Sequence, residues 1–143
     1  MFLLEHADNF DILCACMTAR LQEALVYHQH GDPSEVLRLE EAPMPKVGSG
    51  EVLLRMRAAA IHPSDFGMIA GSYANLRELP AIGGREGVGE VAEVGQGVEK
   101  RLIGRMAALP EDQGAWIEYF VMRAEELFFL PIGLPFEQAA LAL

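Results

Sequence analysis

The clearest alternation of apolar and polar residues in this chain lies between Glu51 and Ile61. One side of this stretch is apolar, and its members are Val52, Leu54, Met56, Ala58 and Ala60. Arg55 and Arg57 fall on the opposite side. A period of two residues is typical of a β-strand with one buried face. The pattern therefore predicts a long strand here.

Shorter apolar runs, bounded by glycine and proline, predict further strands. They cover residues 24–28, 36–40, 102–109, 115–122 and 126–131. The first two runs are separated by a turn cluster at Gly31, Asp32 and Pro33. Such runs between turn signals are typical of antiparallel strands, and the first two predict an opening hairpin.

Helices are predicted at only two places. Pro63 suits the first turn of a helix, and Asp65 interacts favourably there with the helix dipole, so a short helix is expected up to about Ala70. A second helix is expected from Pro135, with an apolar face made of Phe136, Ala139, Ala140 and Leu143. The predicted fold class is therefore mainly β with short helices.

Residues 79–98 hold six of the fourteen glycines in the chain, and two interpretations compete for them. Gly87-x-Gly89-x-x-Ala92 fits the dinucleotide-binding fingerprint, which must follow a strand and open a helix. Pro80 interrupts the preceding segment, and β-branched valines follow, so that context is missing. A strand kinked by glycines is the favoured interpretation.

Charge and cysteine content exclude several function classes. The formal net charge is −10, from 11 basic and 21 acidic residues, which argues against a nucleic-acid or anionic-membrane partner. No apolar run approaches the roughly 18 residues of a membrane span. Cys14 and Cys16 are too close for an unstrained disulfide, so we expect free thiols and a cytoplasmic location.

Residues 1–21 are interpreted as an N-terminal extension. The segment has no basic start and contains Glu5, Asp8 and Asp11, unlike a secretory or mitochondrial leader. Met17 is a plausible alternative start. We expect a disordered tail or an upstream start codon, with a docking or capping extension as the alternative.

The glycine-rich stretch resembles one known family. The patterns Pro80-x-x-Gly83-Gly84-x-Glu86-Gly87 and Val94-Gly95-x-Gly97-Val98 are similar to the GroES-like domain of the medium-chain dehydrogenase/reductase family. The zinc-free branch is the most similar, with 2-enoyl thioester reductases first and quinone oxidoreductases next. The resemblance implies a partly open β-barrel over residues 22–134. Residues 135–143 would then begin a truncated interdomain helix, with the Rossmann domain absent from this chain.

The resemblance also bears on metal binding. In zinc-dependent relatives a cysteine ligand stands where His62 stands, and a histidine ligand stands where Arg85 stands. A guanidinium cannot coordinate zinc, and a catalytic zinc needs three protein ligands. We therefore predict no metal, and His62 is expected to be a hydrogen-bonding or substrate-binding residue of the site, or a core residue.

Two more site residues come from the resemblance. The pattern Met68-Ile69-x-Gly71-x-Tyr73 resembles the segment that carries a proton-donating tyrosine in enoyl thioester reductases. A phenol is a neutral donor at neutral pH, which suits general acid catalysis. The pair Gly114-x-Trp116 resembles a Gly-Thr-Trp motif, so Trp116 is expected either to pack in the core or to bind substrate.

The resemblance implies NADPH-dependent reduction of the C=C bond of 2-enoyl thioesters. Quinone reduction is an alternative, and a GroES-like barrel that binds or assembles without turnover is another. NADPH would be held by the Rossmann domain of an intact enzyme, so this chain alone is not expected to bind it tightly. The resemblance further implies a small-molecule substrate and a homodimeric intact enzyme.

Overall fold

The structure is a computed structural model that describes residues 20–110 and 113–141. Its strands are β1 (Leu21–Tyr27), β2 (Arg38–Pro43), β3 (Glu51–Ala59), β4 (Ala81–Ile82), β5 (Gly87–Val94), β6 (Met106–Ala108), β7 (Tyr119–Arg123) and β8 (Phe128–Phe129). Its helices are α1 (Pro33–Val36), α2 (Pro63–Ala70) and α3 (Phe136–Ala140), with 3-10 turns at Lys100–Leu102 and Ala124–Glu126. The prediction of a mainly β fold with short helices is confirmed.

The strands form two antiparallel sheets. A three-stranded sheet has the order β2-β1-β4, and a five-stranded sheet has the order β7-β3-β5-β6-β8. The sheets are joined by a bridge between Ala24 and Ile117 and by a hydrogen bond of 2.9 Å from Leu25 N to Trp116 O. This arrangement agrees with the partly open barrel expected from the resemblance.

The glycine-rich stretch forms the central strand β5, so the phosphate-loop interpretation is wrong. Residues 87–94 are extended, and they are followed by a turn and a short 3-10 segment at Lys100–Leu102, not by the α-helix that the fingerprint must open. The glycines instead permit close packing against β3. A Cβ on Gly89 would lie 3.0 Å from Leu54 Cβ, and one on Gly87 would lie 2.9 Å from Met56 Cε. Larger side chains at these positions would push the strands apart.

Several predicted boundaries need correction. The run 36–40 begins too early, because Val36 ends the helix α1, whose first turn is capped by the Asp32 side chain. The runs 102–109, 115–122 and 126–131 are too long. In each run the strand is shorter, and 3-10 turns occupy residue 102 and residue 126. Trp116 precedes β7 and lies in the connection that joins the sheets.

The core lies between the five-stranded sheet and its connections. Its largest cluster of buried residues contains Val52, Leu54, Val91, Ala107, Leu109, Ala115 and Met122. The helix α3 buries Ala139 and Ala140 in a second cluster with Val88, as its predicted apolar face requires. Phe136, on the same face, is partly buried against this cluster, and Leu143 lies outside the described residues.

The helix α2 has the predicted extent and a defined end. Gly71 follows it with φ of 79°, a left-handed conformation that favours glycine at a helix C-terminus. The described part of the chain contains no helix with the length and apolarity needed to cross a membrane. The predicted extension, residues 1–21, lies outside the described residues up to residue 19, and its last residue, Leu21, already belongs to β1.

Candidate functional site

The start of α2 is fixed by a buried carboxylate. His62 precedes the helix in an extended conformation, and Pro63 occupies its first turn. The Asp65 Oδ2 atom accepts a hydrogen bond of 2.6 Å from His62 N, and Asp65 is only 1% exposed. An acidic residue at the third helical position commonly satisfies the backbone N–H that precedes the helix. Asp65 thereby fixes the backbone from which the His62 side chain extends.

His62 reaches across to the segment that precedes β5. Its Nε2 atom lies 3.1 Å from Glu86 Oε2. The His62 side chain is 37% exposed as a whole, whereas its Nε2 atom is buried. The side chain is therefore partly exposed, while its Nε2 atom faces Glu86. When protonated, the imidazole forms an ion pair with the carboxylate.

Trp116 is held against the same segment by packing and by one hydrogen bond. Its Nε1 atom donates to Ala60 O at 3.3 Å, two residues before His62. A Cβ on Gly83 would lie 2.3 Å from Trp116 Cε3, and one on Gly84 would lie 2.5 Å from Trp116 Cδ1. Only glycine leaves room for the indole ring at these positions. Trp116 is half-buried, so packing does not remove it entirely from the surface.

Tyr73 lies in the connection after α2 and is 41% exposed. Its ring contacts the helix at Gly67, where a Cβ would come within 2.7 Å of Tyr73 Cε2. The ring also lies near the segment that precedes β5, where the Arg85 Cζ atom is 5.5 Å from the ring centroid. This distance falls within the range of cation–π interactions. The phenol is therefore both accessible and held by two elements.

The segment 83–86, which we call the 83–86 loop, contacts all three predicted site residues. Gly83 and Gly84 pack on Trp116, Arg85 faces Tyr73, and Glu86 pairs with His62. The loop is braced from the side by Arg77. The Arg77 guanidinium donates hydrogen bonds to Ile82 O at 2.5 Å and to Gly84 O at 2.8 Å.

Gly67, Arg77 and Glu86 were not predicted from the sequence to be site residues. Glu86 stands inside the motif quoted for the resemblance, which was a usable signal. Arg77 and Gly67 carried no such signal, because their roles depend on which loop and which ring the fold places beside them. Arg85 was singled out only as a residue that cannot bind zinc.

An apolar groove of about 540 Å³ opens beside Trp116. It runs between the hairpin β1–β2 and the start of α2, and its apolar lining includes Leu37, Leu39, Ile61, Phe66, Trp116 and Ile117. Ile61 is 69% exposed although it directly precedes His62. The groove and the 83–86 loop therefore share Trp116.

Two features bear on the expectations for metal and dinucleotide binding. Residues 20–110 and 113–141 contain no cluster of three histidine, cysteine, aspartate or glutamate side chains arranged for a metal ion. The dinucleotide fingerprint lies in β5, and its glycines face β3 side chains rather than open space. The fingerprint residues 87–92 are therefore part of a packed strand and not of a phosphate-binding loop.

Residues 48–132 match the alcohol dehydrogenase GroES-like domain family. The chain therefore belongs to this family, the GroES-like domain of the medium-chain dehydrogenase/reductases. Among curated proteins, it is 43% identical to the mitochondrial enoyl-[acyl-carrier-protein] reductase of Bos taurus over 119 residues. That alignment covers 82% of this chain and 32% of the bovine protein. The human mitochondrial enoyl-[acyl-carrier-protein] reductase is 40% identical over the same length. The chain thus spans about a third of these relatives.

Solved structures agree with this assignment. A candidate NADPH:quinone reductase from Bacillus thuringiensis superposes with a TM-score of 0.77 at 34% identity, covering 85% of this chain and 37% of that one. The complex of Etr1p with NADP and crotonyl-CoA superposes with a TM-score of 0.76 at 24% identity, covering 85% and 40%. At that identity the second likeness concerns the fold alone. The predicted family, with its enoyl and quinone reductase relatives, is confirmed.

Proposed function

We propose that this chain supplies the proton-donating domain of a zinc-independent, NADPH-dependent reductase that acts on the C=C bond of 2-enoyl thioesters. The observation that carries the proposal is the meeting of Tyr73, His62 and Trp116 around the 83–86 loop. The similarity to enoyl-[acyl-carrier-protein] reductases at up to 43% identity supports the substrate class. In an intact reductase, NADPH supplies the hydride and is held outside the described residues.

Tyr73 is the proposed proton donor. Reduction of an enoyl thioester at its β-carbon leaves an enolate, and the α-carbon then takes a proton to give the saturated thioester. A partly exposed phenol can donate that proton and recover it from solvent. Tyr73 is 41% exposed and contacts the same 83–86 loop as the other two residues, so its hydroxyl can exchange a proton with solvent near them.

His62 and Trp116 are proposed to bind the substrate. Trp116 lines the apolar groove, and its indole ring packs against Gly83 and Gly84. His62 is partly exposed, with its Nε2 atom directed to Glu86. The indole suits an apolar part of the substrate, and the imidazole suits a polar one.

Quinone reduction is the second candidate function. The similarity of 34% to a candidate NADPH:quinone reductase favours it. A reduced quinone carries its charge on oxygen, which exchanges protons rapidly with water. This reaction therefore does not depend on a protein acid such as Tyr73. Homodimer formation by the intact protein and a cytoplasmic location stay predictions.

The test uses a chimaera that joins this chain to the remaining two thirds of the bovine relative. Tyr73→Phe keeps the ring and removes the hydroxyl, and Tyr119→Phe is the matched control in β7. We expect Tyr73→Phe to lower kcat on an enoyl thioester by about 10²–10⁴-fold, with KM changed less than about threefold. Tyr119→Phe should leave both constants unchanged.

The other outcomes select the alternatives. An unchanged kcat on the enoyl thioester in Tyr73→Phe removes Tyr73 from the mechanism. Activity on a quinone but not on an enoyl thioester selects quinone reduction. A folded chimaera that binds NADPH and turns over neither substrate favours a barrel that binds or assembles without turnover.

A further inference from the structure

The Tyr73 ring packs against α2 at Gly67, which has no side chain. A Cβ on Gly67 would lie 2.7 Å from Tyr73 Cε2 and 3.0 Å from Tyr73 Cδ2. The ring would have to move if any other residue stood there. Glycine inside a helix is less favourable than alanine by roughly 1 kcal/mol in a typical host. The close contact with the ring gives a physical reason for this glycine.

A second element also contacts the ring. The Arg85 Cζ atom lies 5.5 Å from the ring centroid, and Arg85 belongs to the 83–86 loop rather than to α2. Ser72, which directly precedes Tyr73, is held by hydrogen bonds to the helix. Its N and Oγ atoms donate to Gly67 O at 2.9 Å and 3.0 Å. Two contacts thus restrict a ring that is not buried, and the Ser72 hydrogen bonds fix the backbone that precedes it.

We propose that Gly67 and Arg85 are positioning residues that hold the Tyr73 phenol where it donates its proton. This inference rests on the proposed function of Tyr73. An exposed aromatic ring in a loop samples several rotamers unless neighbouring groups restrict it. A displacement of about 1 Å in a reacting group can cost about 100-fold in rate. Contacts that restrict the ring therefore act on kcat.

The first test measures the NMR signals of the Tyr73 ring in the 143-residue chain. The chain has three tyrosines, so ring-labelled tyrosine gives three sets of NMR signals, and Tyr73→Phe assigns one of them. We expect Gly67→Ala and Arg85→Gln to shift the Tyr73 signals and to leave those of Tyr27 and Tyr119 in place. Arg85→Lys keeps the positive charge and should shift them less than Arg85→Gln.

The matched control is Arg105→Gln. Arg105 has its Cζ atom 4.8 Å from the Phe129 ring, so this variant removes a similar cation–π contact elsewhere. It should leave the Tyr73 signals unchanged. A variant of Gly67 or Arg85 that leaves the Tyr73 signals in place overturns the positioning role of that residue. Thermal unfolding of each variant establishes that it is folded.

The second test is a double-mutant cycle in the chimaera. Gly67→Ala should lower kcat by about 10- to 100-fold. Arg85→Gln should lower it by about two- to fivefold, the rate equivalent of an exposed cation–π contact. KM should stay within about threefold, and Arg85→Lys should recover part of the loss. In a Tyr73→Phe background, neither substitution should cause a further loss.

The cycle separates the two proposals. An equal loss in the Tyr73→Phe background means that Gly67 or Arg85 acts on the fold or on another group, which overturns the positioning role. An unchanged kcat in Tyr73→Phe alone overturns the proposed role of Tyr73 and the catalytic part of this inference with it. The NMR result distinguishes the cases, because it depends on the ring contact and not on turnover.

Discussion

Trp116 Nε1 donates a hydrogen bond to Ala60 O, and this bond ties the segment before β7 to the residue two places before His62. The indole ring also fills the space left by Gly83 and Gly84. The position of His62 therefore depends on how Trp116 packs against the 83–86 loop.

Gly83→Ala should destabilise the chain. The new Cβ would lie 2.3 Å from Trp116 Cε3, so the indole ring or the loop must shift. Overpacking of this kind costs about 1–3 kcal/mol of the free energy of unfolding. Gly48→Ala is the control, because the three atoms nearest to its Cβ would be those at the flexible end of the Glu51 side chain. Urea unfolding monitored by Trp116 fluorescence measures both. Equal midpoints for the two variants would contradict this packing argument.

Asp65→Ala should destabilise the chain more than Asp65→Asn. The alanine variant removes the oxygen that accepts from His62 N, whereas the asparagine variant keeps an acceptor of the same shape. Loss of such a capping contact costs about 0.5–2 kcal/mol. Urea unfolding gives both values, and circular dichroism reports the helix. A larger loss in the asparagine variant would show that the negative charge, and not the hydrogen bond, stabilises this site.

Tyr27→Phe should alter stability mainly at alkaline pH. Burial raises the pKa of Tyr27, and the nearby Arg77 guanidinium offsets part of that rise. A raised pKa contributes stability that is complete below the unfolded value of about 10 and is lost as the pH rises through the folded value. The phenylalanine variant lacks this loss, so its advantage over the parent should grow above a pH of about 10.

Near pH 8 the same variant should be as stable as the parent or more stable by about 1 kcal/mol. The Tyr27 hydroxyl is buried, and it has no hydrogen-bond partner within the described part of the chain. Removing an unpaired buried hydroxyl removes its desolvation cost. Urea unfolding across the pH range measures the difference, with Tyr119→Phe as the control. A strong loss of stability at pH 8 would show that the hydroxyl has a partner.

The chain should retain no zinc after treatment with a chelator. His62 and Glu86 supply two possible ligand atoms near each other. The family resemblance further implies that Arg85 stands where zinc-dependent relatives have a ligand, and a guanidinium cannot coordinate zinc. A catalytic zinc requires three protein ligands. Elemental analysis after dialysis tests this. One zinc retained per chain would require a ligand set that includes residues outside the described ranges.

Much of this fold could be predicted from short-range patterns. The alternation in residues 51–61 located β3, and the proline and aspartate after His62 located α2. Alternation failed at Leu53, which lies on the side of Arg55 but is buried. A register shift between Leu53 and Leu54 disturbs the pairing of β3 with β5 at this point. A β-bulge of this kind leaves no clear signal in a single sequence.

The site was only partly predictable for a different reason. Tyr73, His62 and Trp116 were chosen by resemblance to a family, one motif at a time. Glu86 contacts His62 and Arg85 contacts Tyr73 because the 83–86 loop passes beside both residues. Single motifs do not reveal that path. Arg77 braces that loop through backbone carbonyl groups, which every residue has. No side-chain pattern could therefore identify its partners.

The pairing of β3 has a consequence for the order in which the chain folds. The hairpin of β1 and β2 joins neighbouring segments, but β3 pairs on one side with β7, where Glu51 lies opposite Arg123. Contacts between distant segments form slowly, because a long loop must close first. During synthesis, the hairpin of β1 and β2 can form early. The edge of β3 that pairs with β7 stays unpaired until Arg123 has left the ribosome. A chaperone that shields exposed strand edges would therefore be needed most at that stage.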